Sequence, residues 1–203
     1  MAAAENDDIV QKEILQAALR LYRKHGPDKV TMDDVANATG RSRTSLYYYY
    51  KNRNDIYQAA LDSISKDMAT TIRSAVQGAR GIHDMLYAFC MAKLQASDDW
   101  KSVLKDMWAA MNDSERTAHY KMVSALHKKL LYQEGVIVNE ILSAAIQIRE
   151  IREISDGERD MLAFIISGSI RGIRNEVYDQ QDPHDIKAAM LLLSDMISKW
   201  LVG

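Results

Sequence analysis

Apolar residues recur at intervals of three and four along most of the chain, the repeat that marks one face of an α-helix. Ile14, Ala17, Ala18 and Leu21 open the series; Met85, Leu86, Phe89 and Cys90 continue it, and Val103, Leu104, Met107, Trp108 and Met111 follow. Strand-type alternation bounded by turn residues is absent, and two prolines and nine glycines in 203 residues leave long stretches without a break. The pattern predicts an all-α protein of about nine helices.

Start and stop signals set their limits. The first helix is expected over 9–25, ended by Gly26 and Pro27, and Thr31 with Asp34 three residues on forms a variant capping box for the second. A third lies within 41–53. Asn52, with Asp55 at the third position, caps a fourth that runs to about residue 77, before Gly78 and Gly81. A fifth is expected over 82–96 and a sixth over 98–111, with Ser97 as the cap between them; a seventh spans 114–151, with Gly135 a bend or a break. Ser155 and Glu158 announce the eighth, to about residue 178, and Asp182 with Pro183 the ninth, to about residue 201.

The last two helices are apolar nearly all round: the runs Met161 to Ile166 and Ala188 to Leu193 contain no polar residue. A helix apolar on every face needs partners on two sides. The second partner is expected to be another copy of the chain, meeting Phe164, Ile165, Gly168, Gly172, Met190, Leu193 and Ile197, with the two glycines allowing close approach. Two helices per subunit would then make a four-helix bundle on a two-fold axis. The alternative is an unusually apolar core within one chain.

The chemistry is concentrated in the thirteen residues Arg41 to Arg53, which hold four basic residues, four consecutive tyrosines and no acid. At about 100° per residue, Arg43, Thr44, Tyr47 and Tyr48 share one side of a short helix, and Ser45, Leu46, Tyr49 and Tyr50 the other. The first side offers a guanidinium, a hydroxyl and two phenols to phosphate oxygens and base edges, with Arg41, Lys51 and Arg53 placed for phosphate. A short helix, a turn containing Gly40 and this second helix make a helix-turn-helix, whose second helix enters the major groove.

With its apolar stripe from Ile14 to Leu21 and the run VTMDDVANATGRSRTSLYYYYKNRNDIY, the first sixty or so residues resemble the TetR-like transcriptional regulators. The departures are Arg41 in place of a small apolar residue, Tyr50 in place of Phe and Arg53 in place of Lys. The resemblance implies a DNA-binding domain followed by a helical ligand-binding and dimerisation domain, and independently implies a dimer through the last two helices. It also implies a small-molecule cavity among the fifth to eighth helices, whose occupation repositions the fourth. Phe89, Met107, Trp108, Met111, Tyr120 and His127 are the candidates to line it, suited to a mostly apolar effector.

Charge supports this division. The acidic start, MAAAENDD, lacks a hydrophobic signal core and reads as a disordered tail over 1–8, net −3; residues 9–57, the expected DNA-binding domain, carry nine Lys/Arg against five Asp/Glu, net +4; residues 58–203 return to −3. No apolar run approaches the roughly 18 residues of a membrane span. The single cysteine forms no intrachain disulfide or cysteine-based zinc site and fits a reducing cytoplasm. No phosphate loop, HExxH or nucleophile elbow is present, and His83, His119 and the pair Glu115/His119 read as helix-surface residues, so neither enzyme activity, a metal nor a cofactor is expected. The whole points to a homodimeric repressor released from a palindromic double-stranded operator by a small molecule. A ligand-independent architectural or cell-division factor on the same fold is the alternative.

Overall fold

Eight α-helices make up the computed structural model, which describes residues 2–179, 181 and 183–203: α1 (Ala2–His25), α2 (Met32–Ala38), α3 (Arg43–Tyr49), α4 (Arg53–Gln77), α5 (Ile82–Ala109), α6 (Asp113–Gln147), α7 (Asp156–Arg174) and α8 (Ile186–Val202). A 3-10 turn at Pro27–Lys29 follows α1, a π-helical turn at Asn175–Asp179 extends α7, and no strand occurs among the described residues. The all-α expectation holds, with one helix fewer.

The difference lies in α5, which joins the fifth and sixth expected helices. Ser97 sits inside it rather than capping a new start. A serine cap contributes only about 1 kcal/mol, and nothing between Ala96 and Asp99 removes a backbone donor. α6 likewise runs unbroken through Gly135. α1 begins at Ala2, so it covers the segment read as a tail, and Asp7 there accepts a hydrogen bond from the Tyr49 hydroxyl at 2.9 Å. α8 starts at Ile186, capped by Asp185, whose carboxylate accepts from the Lys187 amide at 2.8 Å. Pro183 precedes that helix, and the expected cap Asp182 lies outside the described residues.

The chain forms two compact units: Met1–Lys66 with Asp99–His127, and Asp67–Asp98 with Lys128–Gly203. The first therefore takes in the end of α5 and the start of α6 besides the expected 9–57. Its core gathers Ile14, Ala18, Tyr22, Val35, Leu46, Ile56 and Leu61 together with Met107, Met111 and Leu126. Gly26, at φ +81°, lets the chain turn where a Cβ would lie 2.9 Å from the Ala110 carbonyl oxygen. His119 and Glu115 are buried, contrary to the surface reading. His119 Nδ1 meets the Tyr57 hydroxyl, and Glu115 caps the start of α6, accepting from the Asn112 amide at 2.5 Å. Burial lowers the His119 pKa and so favours its neutral form.

The second unit packs Ile72, Leu86, Phe89, Ile137, Ile141, Leu142, Ile166 and Met190 into its core. Cys90 is buried there; burial pushes its thiol up to about 11. Within this core Glu134 accepts from Lys93 Nζ at 2.5 Å and from the Ser167 hydroxyl at 2.8 Å, joining α5, α6 and α7. Burial lowers the Lys93 pKa, and the Glu134 carboxylate opposes that shift. α7 starts from a full Ser155/Glu158 capping box, which holds the Glu158 carboxyl at about 2. No described helix is long and apolar enough to cross a membrane, and no group of three or more metal-ligating side chains occurs among the described residues.

Removing one partner of the Lys93–Glu134 pair strands the other charge in the core. Glu134→Ala should lower unfolding free energy by about 3–5 kcal/mol, whereas Lys93→Met with Glu134→Leu should be close to neutral; urea unfolding followed by circular dichroism separates the two.

Candidate nucleic-acid interface

α3 is placed by what precedes it. α2 begins at a capping box in which the Thr31 hydroxyl accepts from the Asp34 amide at 3.2 Å, and Asp34 Oδ2 accepts from the Thr31 amide at 2.8 Å. Gly40, at φ +64°, follows α2, and the Arg41 amide bonds back to the Ala36 carbonyl at 3.0 Å. That conformation is open to glycine at little expense and to other residues only with strain. Ser42 then caps α3, accepting from the Ser45 amide at 3.1 Å.

The seven residues of α3 divide as the helical repeat predicts. Leu46 is fully buried and Tyr50, at the cap, nearly so, with burial raising its phenol pKa. Tyr49 is half-buried with its hydroxyl on Asp7. Arg43 and Thr44 are exposed, as are Tyr47 (43%) and Tyr48 (75%). The structure therefore brings Arg43, Thr44, Tyr47 and Tyr48 together on one outward face. Lys51 and Arg53 lie exposed just beyond it, and Asn52 caps α4 through the Asn54 and Asp55 amides at 2.9 and 3.0 Å. A face carrying guanidinium, hydroxyl and phenol groups on a helix short enough to lie in a groove can position on phosphates and touch base edges.

Three of the four arginines and lysines are already paired. Arg43 Nη1 donates to Asp33 Oδ2 at 3.0 Å and its Nη2 to the Tyr47 hydroxyl at 3.2 Å. Arg41 donates to Glu13 at 2.8 Å. Arg53 donates to the Asp28 carboxylate at 3.2 Å and also to the Asp28 backbone carbonyl. Sequence reasoning missed these carboxylates, since partners 10, 25 and 28 residues away leave no local spacing signal.

The six candidate effector contacts divide between the two units. Phe89 is in the core of the second unit, while Met107 and Met111 fill the core of the first. Trp108 and Tyr120, at 42% and 68%, and His127 are exposed.

The expected dimer contacts divide by helical phase. Phe164 (70%) and Ile165 are exposed, Gly172 is exposed and Gly168 half-buried. Met190 and Ile197 instead point into their own unit's core, with Leu193 packed at its edge, because that side of α8 is where α7 and α5 need apolar cover. The outward apolar residues of α8 include Leu191, Leu192, Met196 and Trp200. Grooves of about 500 Å³ between α6 and α7 and about 810 Å³ between α7 and α8 open on this apolar surface.

Residues 14–60 match the family model described as bacterial regulatory proteins, tetR family. Over 54 residues the chain is 30% identical to the biofilm operon icaADBC HTH-type negative transcriptional regulator IcaR of Staphylococcus epidermidis, covering 27% of this chain and 29% of that protein. Over 52 residues it is 35% identical to the HTH-type transcriptional regulator TtgR of Pseudomonas putida, covering 26% of this chain and 25% of that one. The matched segment thus spans between a quarter and a third of these relatives. Across the whole fold, the transcriptional regulator FadR of Bacillus subtilis, in complex with stearoyl-CoA, is similar with a TM-score of 0.55 at 18% identity, over 95% of this chain and 97% of that one. At that identity the likeness is one of fold.

The two sides of α3 should respond differently to truncation. Leu46→Ala should destabilise the unit by about 2–5 kcal/mol, and Tyr48→Ala should change stability by no more than about 0.5 kcal/mol. Chemical denaturation of the two variants measures both.

Proposed function

The chain is TetR-like, and from that premise we propose that it is a homodimeric DNA-binding transcriptional regulator: a repressor that reads a palindromic operator through α3 and leaves it when a small, largely apolar molecule binds. The observation that carries the DNA reading is the outward grouping of Arg43, Thr44, Tyr47 and Tyr48 on a helix pinned from behind by Leu46. Arg41, Lys51 and Arg53 serve phosphates. The +4 charge of residues 9–57 against the −3 of residues 58–203 supports the same assignment.

Dimerisation is supported by the outer apolar surface of α7 and α8. Met161, Phe164, Leu192, Met196 and Trp200 are each about half exposed or more, and large apolar side chains left open in that number on two helices suit an interaction surface. A second copy presenting the same surface on a two-fold axis would cover it and set two reading helices against two half-sites. Release by an apolar effector is supported by the fold shared with the stearoyl-CoA complex and by the adaptable Met85 and Met91 packed around the second unit's core. The packed state of Phe89, Met107 and Met111 favours a second reading, a DNA-binding architectural factor that needs no effector.

Selection of bound fragments from the source genome by the purified full chain, at two salt concentrations, tests the proposal. One short inverted repeat, bound less as salt rises and lost on Arg43→Ala with Tyr47→Ala, is the expected result. Recovery of unrelated fragments would favour the architectural reading, and binding undiminished in the double variant would remove α3 as the reader. For the dimer, Phe164→Asp with Leu192→Asp should halve the mass seen by sedimentation; an unchanged mass would place the contact elsewhere.

A further inference from the structure

Arg43 is the central cation of the reading face, and it is engaged before any DNA arrives. Its guanidinium lies 3.0 Å from the Asp33 carboxylate, 3.2 Å from the Tyr47 hydroxyl and 5.6 Å from the Tyr47 ring centre. Both members of the ion pair are more than half exposed, at 56% and 57% of their side chains, so nothing in the core depends on the pair. Asp33 is also not the residue that starts α2, because Thr31 and Asp34 form the capping box. The other two pairs are less free. Arg41 is only 28% exposed, and Arg53 is held by the Asp28 backbone carbonyl as well as its carboxylate.

We propose that Asp33 holds Arg43 back from phosphate, so that the free reading face binds nonspecific DNA weakly. The inference rests on the DNA-reading assignment above and adds a specificity-determining residue to it. Nonspecific affinity comes from the number of phosphates a protein neutralises, each releasing condensed counterions. An arginine already neutralised by a carboxylate brings no net charge to that exchange: a phosphate that takes Arg43 leaves the Asp33 carboxylate bare beside the DNA. An exposed pair is weak enough to open when the helix is seated in a groove and base edges add their contacts. On a random duplex, which offers phosphates alone, the exchange yields little.

The test uses the full chain and a 30-base-pair duplex of random sequence, with affinity measured across a series of salt concentrations. Asp33→Asn removes the charge and keeps the shape. The expected result is binding about two- to fivefold tighter per reading helix, with log K falling more steeply against log salt by about one unit per reading helix. In an Arg43→Gln background the same substitution should change neither quantity. Wild-type binding with Asp33→Asn unchanged in affinity and slope would overturn the inference, as would a gain that persists without Arg43, which belongs to general charge. If Asp33→Asn lowers the melting temperature, Asp33→Ser gives the same readout with a residue at home in a first helical turn. A wild-type chain that binds no duplex at any salt would overturn the DNA-reading assignment itself, and this inference with it.

Discussion

α3 is seven residues long, about half of what an isolated helix needs to be even marginally stable in water. Its existence therefore depends on docking, and the docking is through Leu46, fully buried against the first unit's core, with Ser42 closing one end and Tyr50 the other. The same contact sets the helix's rotation. Once Leu46 faces inward, the 100° repeat turns Thr44, Tyr47 and Tyr48 toward solvent, and Arg43, at the edge of that side, is exposed with them. Stability and display are thus one event, and the rest of the first unit, from the α2 capping box to the Gly40 turn, serves to deliver α3 to that seat.

The caps and the α3 face were legible because each signal is local. Thr31 with Asp34, Asn52 with Asp55 and Ser155 with Glu158 lie three residues apart, and each closes a hydrogen bond seen in the structure. The outward face of α3 follows from a repeat contained within seven residues. Where local preference competes with continuity, the reading failed: Ser97 has the chemistry of a cap, yet no break in the ladder occurs beside it and α5 runs on. The α8 start failed by three residues, because Asp185 as well as Asp182 can cap.

Longer-range facts were out of reach. Within the runs from Met161 to Ile166 and from Ala188 to Leu193 every position is apolar, so hydrophobicity carries no phase information there; Met190 and Leu192 look alike in sequence, yet one is core and the other surface. The candidate effector contacts scattered for a related reason, since aromatic and methionine residues fill any core and the division of α5 and α6 between two units is a property of the tertiary fold. The charge count of the head was correct as a sum but silent on pairing. Arg41, Arg43 and Arg53 each have a carboxylate partner from another element of the same segment, so pairing leaves its +4 unchanged but sets an acid beside three of the four cations around the reading helix.

The burial of Cys90 has a practical side. Burial raises its thiol to about 11, which disfavours the reactive thiolate at neutral pH, and the residue is almost fully covered. Both burial and the raised thiol pKa work against its reaction with maleimides and nitroxide labels. A single cysteine introduced on the outer surface of α3 or α7 would be the favoured point of attachment, so a probe could report on that one position in an otherwise unaltered protein.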